Sequence, residues 1–307
     1  MAIPDRLKTN LRLPVVVAPM FLVSDPGLVI AARKAGVIGT FPSLNARTAA
    51  EYEAWLDAIE AAGGPKDAAY GVNLIVGKMN TRLAEDLEIT VRRKVPLVIT
   101  SFGADKDVVA AVHGYGGIVF HDVASARHAE IAAVAGVDGL IVLTAGAGGH
   151  TGWLNPFAVM NEVRSIFGGT ILLAGAMSTG RDVAAARMMG ADLAYMGTRF
   201  IATEEAAVPD EYRRMLVDSS AKDVLATRGI SGTSANFLTT SIAARGLDPR
   251  DFAAATAPLS VLAEQGLKAW KDIWSAGHGV GAISDAPPVG ELVDRLVAEY
   301  EAARAEA

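Results

Sequence analysis

From residue 13 to about residue 200 the hydrophobic pattern repeats. A short run of Val, Ile and Leu gives way to a break of Gly, Pro or polar residues, then to an Ala-rich stretch with helical spacing. The runs at 14–20, 36–42, 70–76, 96–102, 117–121, 139–144, 170–174 and 193–196 predict eight strands. The stretches 48–61, 124–134, 155–167 and 181–189 predict helices of the length that a right-handed crossover needs. Leu97-Val98-Ile99 and Ile171-Leu172-Leu173 show no alternation, which fits strands buried on both faces.

Eight strand–helix units in roughly 200 residues match an α/β fold of the (β/α)8, or TIM-barrel, class. A doubly wound open sheet is the competitor. It would want a glycine-rich turn after its first strand, and here that strand ends in Ala18-Pro19-Met20. The rhythm changes beyond Phe200, so the barrel is expected to occupy 1–205. Stretches 206–220 and 261–274 predict helices on either side of a Gly, Ser and Thr-rich stretch at 227–240, which suggests a helical cap or lid over 206–290. Residues 283–290 lead into an amphipathic helix at 291–305, giving a C-terminal helix within 291–307 that packs on the barrel.

Composition narrows the chemistry. Hydrophobic residues make up 51% and charged residues 20% of the 307, as in a globular protein with a large core. A net charge of −6 offers no footprint for nucleic acid or an anionic membrane. With no cysteine, disulfides, thiolate metal sites and cysteine nucleophiles are excluded. Redox chemistry would then need an organic cofactor or a metal held by N and O ligands. Charges at Asp5, Arg6, Lys8 and Arg12 precede a first apolar run, 13–17, too short for a leader or a membrane span, and the expected location is the cytoplasm.

Function in such a barrel sits just after the strands. At Ala18-Pro19-Met20 a thioether would face the mouth, although a core methionine at a plain strand end reads equally well. Asn73 offers a donor and an acceptor suited to the polar edge of a heterocycle, with backbone pairing as the alternative. In 145–152, Ala-Gly-Ala-Gly-Gly-His-Thr-Gly, glycines Gly148 and Gly149 let backbone approach a ligand and leave His150 displayed as a general base or donor. Gly175-Ala176 and Gly197-Thr198, after the seventh and eighth strands, stand where barrels bind phosphate. His121 could border the pocket, while His113, His128 and His278 read as surface residues. No cluster has metal-ligand spacing, and no G-x-S-x-G elbow is present.

Together Ala18-Pro19-Met20, Gly71-Val72-Asn73-Leu74, Ala147-Gly148-Gly149-His150-Thr151-Gly152, Ala174-Gly175-Ala176 and Met196-Gly197-Thr198-Arg199-Phe200 resemble the nitronate monooxygenase family, formerly 2-nitropropane dioxygenases. The resemblance implies an FMN cofactor with its phosphate on backbone at Gly175, Ala176, Gly197 and Thr198. Asn73 and residues 18–20 would line the isoalloxazine, and His150 would be the active-site base. It further implies a small-molecule substrate, an alkyl nitronate oxidised with O2 to a carbonyl compound and nitrite, and leaves a homodimer open. Two departures stand out: Gly146 where many members have glutamate, and His121-Asp122-Val123-Ala124-Ser125 where some have a lysine. Two rivals remain: an NAD(P)H-dependent FMN reductase acting on quinones or enoyl thioesters, and a flavin-free barrel that binds a phosphorylated metabolite.

Overall fold

The computed structural model describes residues 3–306. All eight expected runs form strands: β1 (Val15–Val17), β2 (Ile38–Pro42), β3 (Tyr70–Ile75), β4 (Leu97–Ser101), β5 (Ile118–Val123) and β6 (Gly139–Leu143) come first. A two-residue strand, β7 (Gly149–His150), lies outside the barrel, and β8 (Thr170–Ala174) and β9 (Leu193–Met196) complete it. Every barrel pairing is parallel. The last strand returns to the first with Val15 opposite Ala194 and Val17 opposite Met196, which closes the barrel and leaves no open edge.

The helices between strands start where a side chain satisfies the first free amides. Asp25, Thr48, Asp105, Ser125, Asn155 and Thr179 each cap a helix in this way, and Thr179 forms a reciprocal box with Asp182. Gly36 and Gly136, both left-handed, end the helices Pro26–Ala35 and Ala126–Ala135.

Strand parity divides the core. Val15, Val17, Val72, Val98, Val119 and Val142 face the helices, whereas Val16, Ile38, Leu97, Ile99, Phe120, Ile141, Leu172 and Leu193 fill the interior. Leu7 joins that interior cluster from the N-terminal helix Asp5–Lys8. Arg6 beside it donates to the carbonyls of Lys94 and Gly116, in the turns before β4 and β5, so this helix plugs the end of the barrel opposite the site.

The final helix, Val289–Glu306, packs against Gly180–Met188 and Pro26–Ala35. At Gly180 a methyl group would lie 2.0 Å from the Leu296 carbonyl oxygen, so the approach of the two helices requires glycine there. No helix among the described residues is long and apolar enough to cross a membrane.

The segment 206–290 is more mixed than the helical cap expected from its pattern. It holds a helix at Asp210–Asp218, then a hairpin of β10 (Val224–Thr227) and β11 (Ala235–Leu238), then short helical turns. The hairpin accounts for the Gly, Ser and Thr-rich stretch: residues 228–234 form its loop, and Ile230 from that loop joins Ala235 and Phe237 in a separate apolar cluster with Ile242, Phe252 and Ile273. The expected helix at 261–274 is helical only within Ser260–Glu264. Gly266, at φ +66°, turns the chain out of it.

Candidate active site

The parity that fills the barrel floor brings a different set of side chains to its mouth. Ala18, Asn73, Ser101, Asp122, Ala174 and Tyr195 lie above the apolar interior and border a cavity of about 1010 Å³. That is the upper end of the range for small-molecule sites, with room for a cofactor and a substrate together. All eleven residues singled out from the sequence line it: Ala18, Pro19, Met20, Asn73, Gly148, Gly149, His150, Gly175, Ala176, Gly197 and Thr198.

His150 is held by an arrangement that the sequence pattern did not reveal. Its strand β7 pairs antiparallel with β11, His150 opposite Ala235 and Gly149 opposite Asn236. The imidazole is edge-on to Phe102, with centroids 5.1 Å apart, and to Trp270 at 5.3 Å. Trp270 in turn stacks on Phe237 at 4.7 Å. Neither ring nitrogen has a hydrogen-bond partner among the described residues, and the ring opens into the cavity. Although the residue is exposed at the cavity mouth, partial desolvation of its ring lowers the imidazole pKa from its ordinary value, which favours the neutral, proton-accepting form.

The loop that carries His150 is pinned from behind. Asn236, fully buried, donates from its side-chain amide to the carbonyls of Ala145 and Ala147. The Gly146 carbonyl accepts from the amides of Ala176 and His278, both at 3.0 Å. A methyl at Gly146 would lie 2.8 Å from the Ala176 Cβ, a physical reason for glycine where the resemblance suggested glutamate.

The turns after β8 and β9 form a cradle of small residues. Gly175 has φ +135°, and a methyl there would lie 2.2 Å from Thr144 Oγ1. At Gly148 a methyl would lie 2.8 Å from both the Gly277 nitrogen and Thr198 Oγ1. The amides of Gly175, Gly197 and Thr198 have no acceptor among the described residues, and the Thr198 hydroxyl, accepting from Gly277 at 2.8 Å, still has its own proton to give. Ala176 differs from its expected part: its amide is already taken by Gly146. Three free amides, a hydroxyl and space kept clear by glycine fit a phosphate group.

On the other wall, Asn73 donates to the Ile99 carbonyl and to Ser101 Oγ, both at 3.2 Å, while its oxygen has no partner among the described residues. Asp122 is the one carboxyl among the described residues that line the cavity. Its Oδ1 is enclosed without a hydrogen-bond partner, and burial raises its pKa to about 7. His121, with Nδ1 2.7 Å from Thr100 Oγ1, is taken down to about 4 by burial and the nearby His128. His128 is exposed, as read from the sequence, and stands at the cavity's edge. Arg199 faces away: it is 3% exposed and pairs with Asp285 at 2.8 Å, tying the β9 turn to the segment before the last helix. Asn236, Trp270 and Phe102 were missed in the sequence because their roles depend on pairing across distant segments. A lone polar residue between apolar neighbours in Ala-Asn-Phe-Leu was the one available hint.

The chain is similar to several known proteins. A dehydrogenase of Mycobacterium tuberculosis named for (3aS,4S,5R,7aS)-5-hydroxy-7a-methyl-1-oxo-octahydro-1H-indene-4-carboxyl-CoA is 29% identical over 248 residues, covering 79% of this chain and 68% of that protein. A nitronate monooxygenase of Paraburkholderia phytofirmans is 29% identical over 232 residues, covering 70% of this chain and 63% of its own length. The solved structure of nitroalkane oxidase from Streptomyces ansochromogenes superposes with a TM-score of 0.83 at 25% identity, covering 98% of this chain and 99% of that one. The profile of the nitronate monooxygenase family matches residues 6–299. With the closed barrel and the cavity at its mouth, this shows that the chain belongs to the nitronate monooxygenase family of oxidoreductases.

Proposed function

We propose that the protein is an FMN-dependent oxidoreductase that converts a small nitro-substituted carbon acid or its nitronate to a carbonyl compound and nitrite, with oxygen as the oxidant. The observation that carries this reading is an imidazole, His150, set edge-on against Phe102 and Trp270 at the rim of a cavity that also presents the free amides of Gly175, Gly197 and Thr198. FMN, when bound, supplies the acceptance of electrons from the substrate and their passage to oxygen. The amides of Gly175, Gly197 and Thr198 would hold its phosphate, and Asn73 with residues 18–20 would border its ring. His150 takes the α-proton of a neutral nitroalkane, for which an unprotonated imidazole is the right form.

Anaerobic addition of propane-2-nitronate, 2-nitropropane and NADH, separately, to the FMN-loaded protein tests the reading through the visible flavin band. Bleaching by a nitro compound supports it. Bleaching by NADH alone overturns it in favour of a reductase on the same barrel. One observation favours a second reading, oxidation or reduction of a thioester: the cavity rim carries exposed Phe21, Met79, Phe102 and Ile131, more apolar surface than a small nitro compound would cover, and one relative is named for a fused-ring carboxyl-CoA.

A further inference from the structure

Asp122 stands on β5 two residues after Phe120, so strand parity turns its carboxyl inward, above the apolar filling of the barrel. Its Oδ1 is enclosed without a hydrogen-bond partner, while its other oxygen is not so enclosed and the residue lines the cavity. No lysine or arginine stands among the described residues that line the cavity, so no fixed cation of the wall offsets a charge on this carboxyl. Tyr195 comes in from β9, and its phenol is raised by burial and then by the charge of Asp122, which puts the two groups within electrostatic reach of each other. An enclosed carboxylate oxygen with neither donor nor counter-charge is disfavoured, and the group relieves that by keeping its proton. Burial accordingly raises the Asp122 pKa to about 7. A carboxylic acid in this state has a hydrogen to donate. With no protein acceptor among the described residues, that hydrogen is offered to the occupant of the cavity.

We propose that the Asp122 carboxyl donates a hydrogen bond to a nitrogen or carbonyl oxygen of the cofactor's heterocycle and thereby sets how readily the ring accepts electrons. The inference rests on the cofactor named in the function proposed above. β5 lies between β3 and β8 in the barrel. A molecule with its phosphate on the turns after β8 and β9 and its polar edge at Asn73 therefore has Asp122 on the wall between those two anchors. Uptake of two electrons and one proton leaves one negative charge on the ring. A protonated Asp122 meets that charge with a hydrogen bond, whereas an ionised Asp122 opposes it. On the alkaline side of its own titration, Asp122 therefore recovers a proton from solvent as the ring is reduced, and two protons enter with two electrons. On the acid side the carboxyl already holds its proton in both states, and only one enters. The other titratable groups facing the cavity are His121 on the same strand, His128 on the helix that follows, His150 on β7, Tyr195 on β9 and Tyr212 on the helix Asp210–Asp218. A substitution at 122 leaves all of them in place.

Equilibrium reduction of the FMN-loaded protein against redox dyes from about pH 5.5 to about pH 9, read by flavin and dye absorbance, tests this without relying on turnover. The parent is compared with Asp122→Asn, which keeps a donor and cannot ionise, and with Asp122→Ala, which keeps neither property. Asp122→Ser takes the place of the first if that variant loads FMN poorly. On going from the acid to the alkaline end, the asparagine protein is expected to gain at least about tenfold over the parent in its preference for the reduced ring, about 30 mV for a two-electron couple. At the acid end the alanine protein is expected to favour the reduced ring several-fold less than the parent. An offset between the parent and the non-ionising donor variant that stays constant across the range would overturn the proposal. An alanine protein level with the parent at the acid end would overturn the donor role. A flavin that no nitro compound bleaches would sink the proposed function while leaving these potentials readable.

Discussion

The side-chain amide of Asn236 donates to the carbonyl of Ala145 at 3.1 Å and to that of Ala147 at 2.7 Å, so one residue of the late hairpin fixes the backbone that presents His150. Asn236→Ala leaves the buried Ala147 carbonyl and the part-buried Ala145 carbonyl without this donor, a loss on the order of 1–3 kcal/mol. Urea unfolding should show the drop in stability, and FMN titration a weaker affinity. Asn236→Asp keeps the shape and removes the donor, so it should behave alike. An alanine variant that unfolds at the same urea concentration as the parent would refute the role.

His150→Asn should reduce kcat/KM for neutral 2-nitropropane by about 10²–10⁴-fold, the usual contribution of a general base. Turnover of propane-2-nitronate, which has no α-proton to lose, should fall far less. The pH dependence has a definite sign. A lowered pKa keeps the imidazole unprotonated to more acidic pH, so kcat/KM for 2-nitropropane should stay level through the ordinary imidazole value of 6.5 and decline only below it. An acid limb centred above 6.5 would contradict the partial desolvation of the ring.

Asp122 makes a stability prediction of opposite sense to most carboxylates. Its pKa rises from 3.8 to about 7 on folding, so between those values the unfolded chain has released a proton that the folded protein keeps. Stability therefore falls as pH rises from about 4 to about 7 and is level beyond. Asp122→Asn should remove this slope, melting at a higher temperature than the parent at pH 8, with little difference at pH 4. The effect is at most a few kcal/mol. Parallel melting curves for the two proteins across that range would show that the carboxyl is ionised within the fold.

Two glycines give a matched pair. Gly175→Ala forces a methyl against Thr144 at a φ that side chains avoid, and should yield protein largely free of FMN. Gly290, in the first turn of the last helix with nothing within 4 Å of a methyl, should accept alanine without loss of FMN. Full FMN content in Gly175→Ala would remove the cradle from the argument.

The barrel was legible in the sequence because its strands are buried on both faces and so are written as uninterrupted Val, Ile and Leu runs. Gly175, which borders the cavity through its backbone, was legible for a related reason: only glycine permits the approach to Thr144 at its positive φ. The hairpin was not. Val-Leu-Ala-Thr and Ala-Asn-Phe-Leu are too short for a reliable period, and their partner is a two-residue strand in a glycine-rich loop that carries no strand signal of its own. Trp270 and Phe102 escaped because an aromatic on a loop has no address until the fold brings it against His150. Both adopt positive φ, near +68° and +61°, which nothing in their residue type announces.

The pairing of β7 with β11 has a consequence for how the protein is made. The polypeptide is synthesised from its N-terminus, and all eight barrel strands have left the ribosome before residue 235 has. The barrel can therefore close around its apolar interior while the histidine loop still lacks the strand that aligns it. Alignment of the histidine loop is then a late docking event, separable from the pairing of the barrel strands, and a ribosome stalled between these points would display a nascent chain whose strands are all present while His150 still lacks its partner strand.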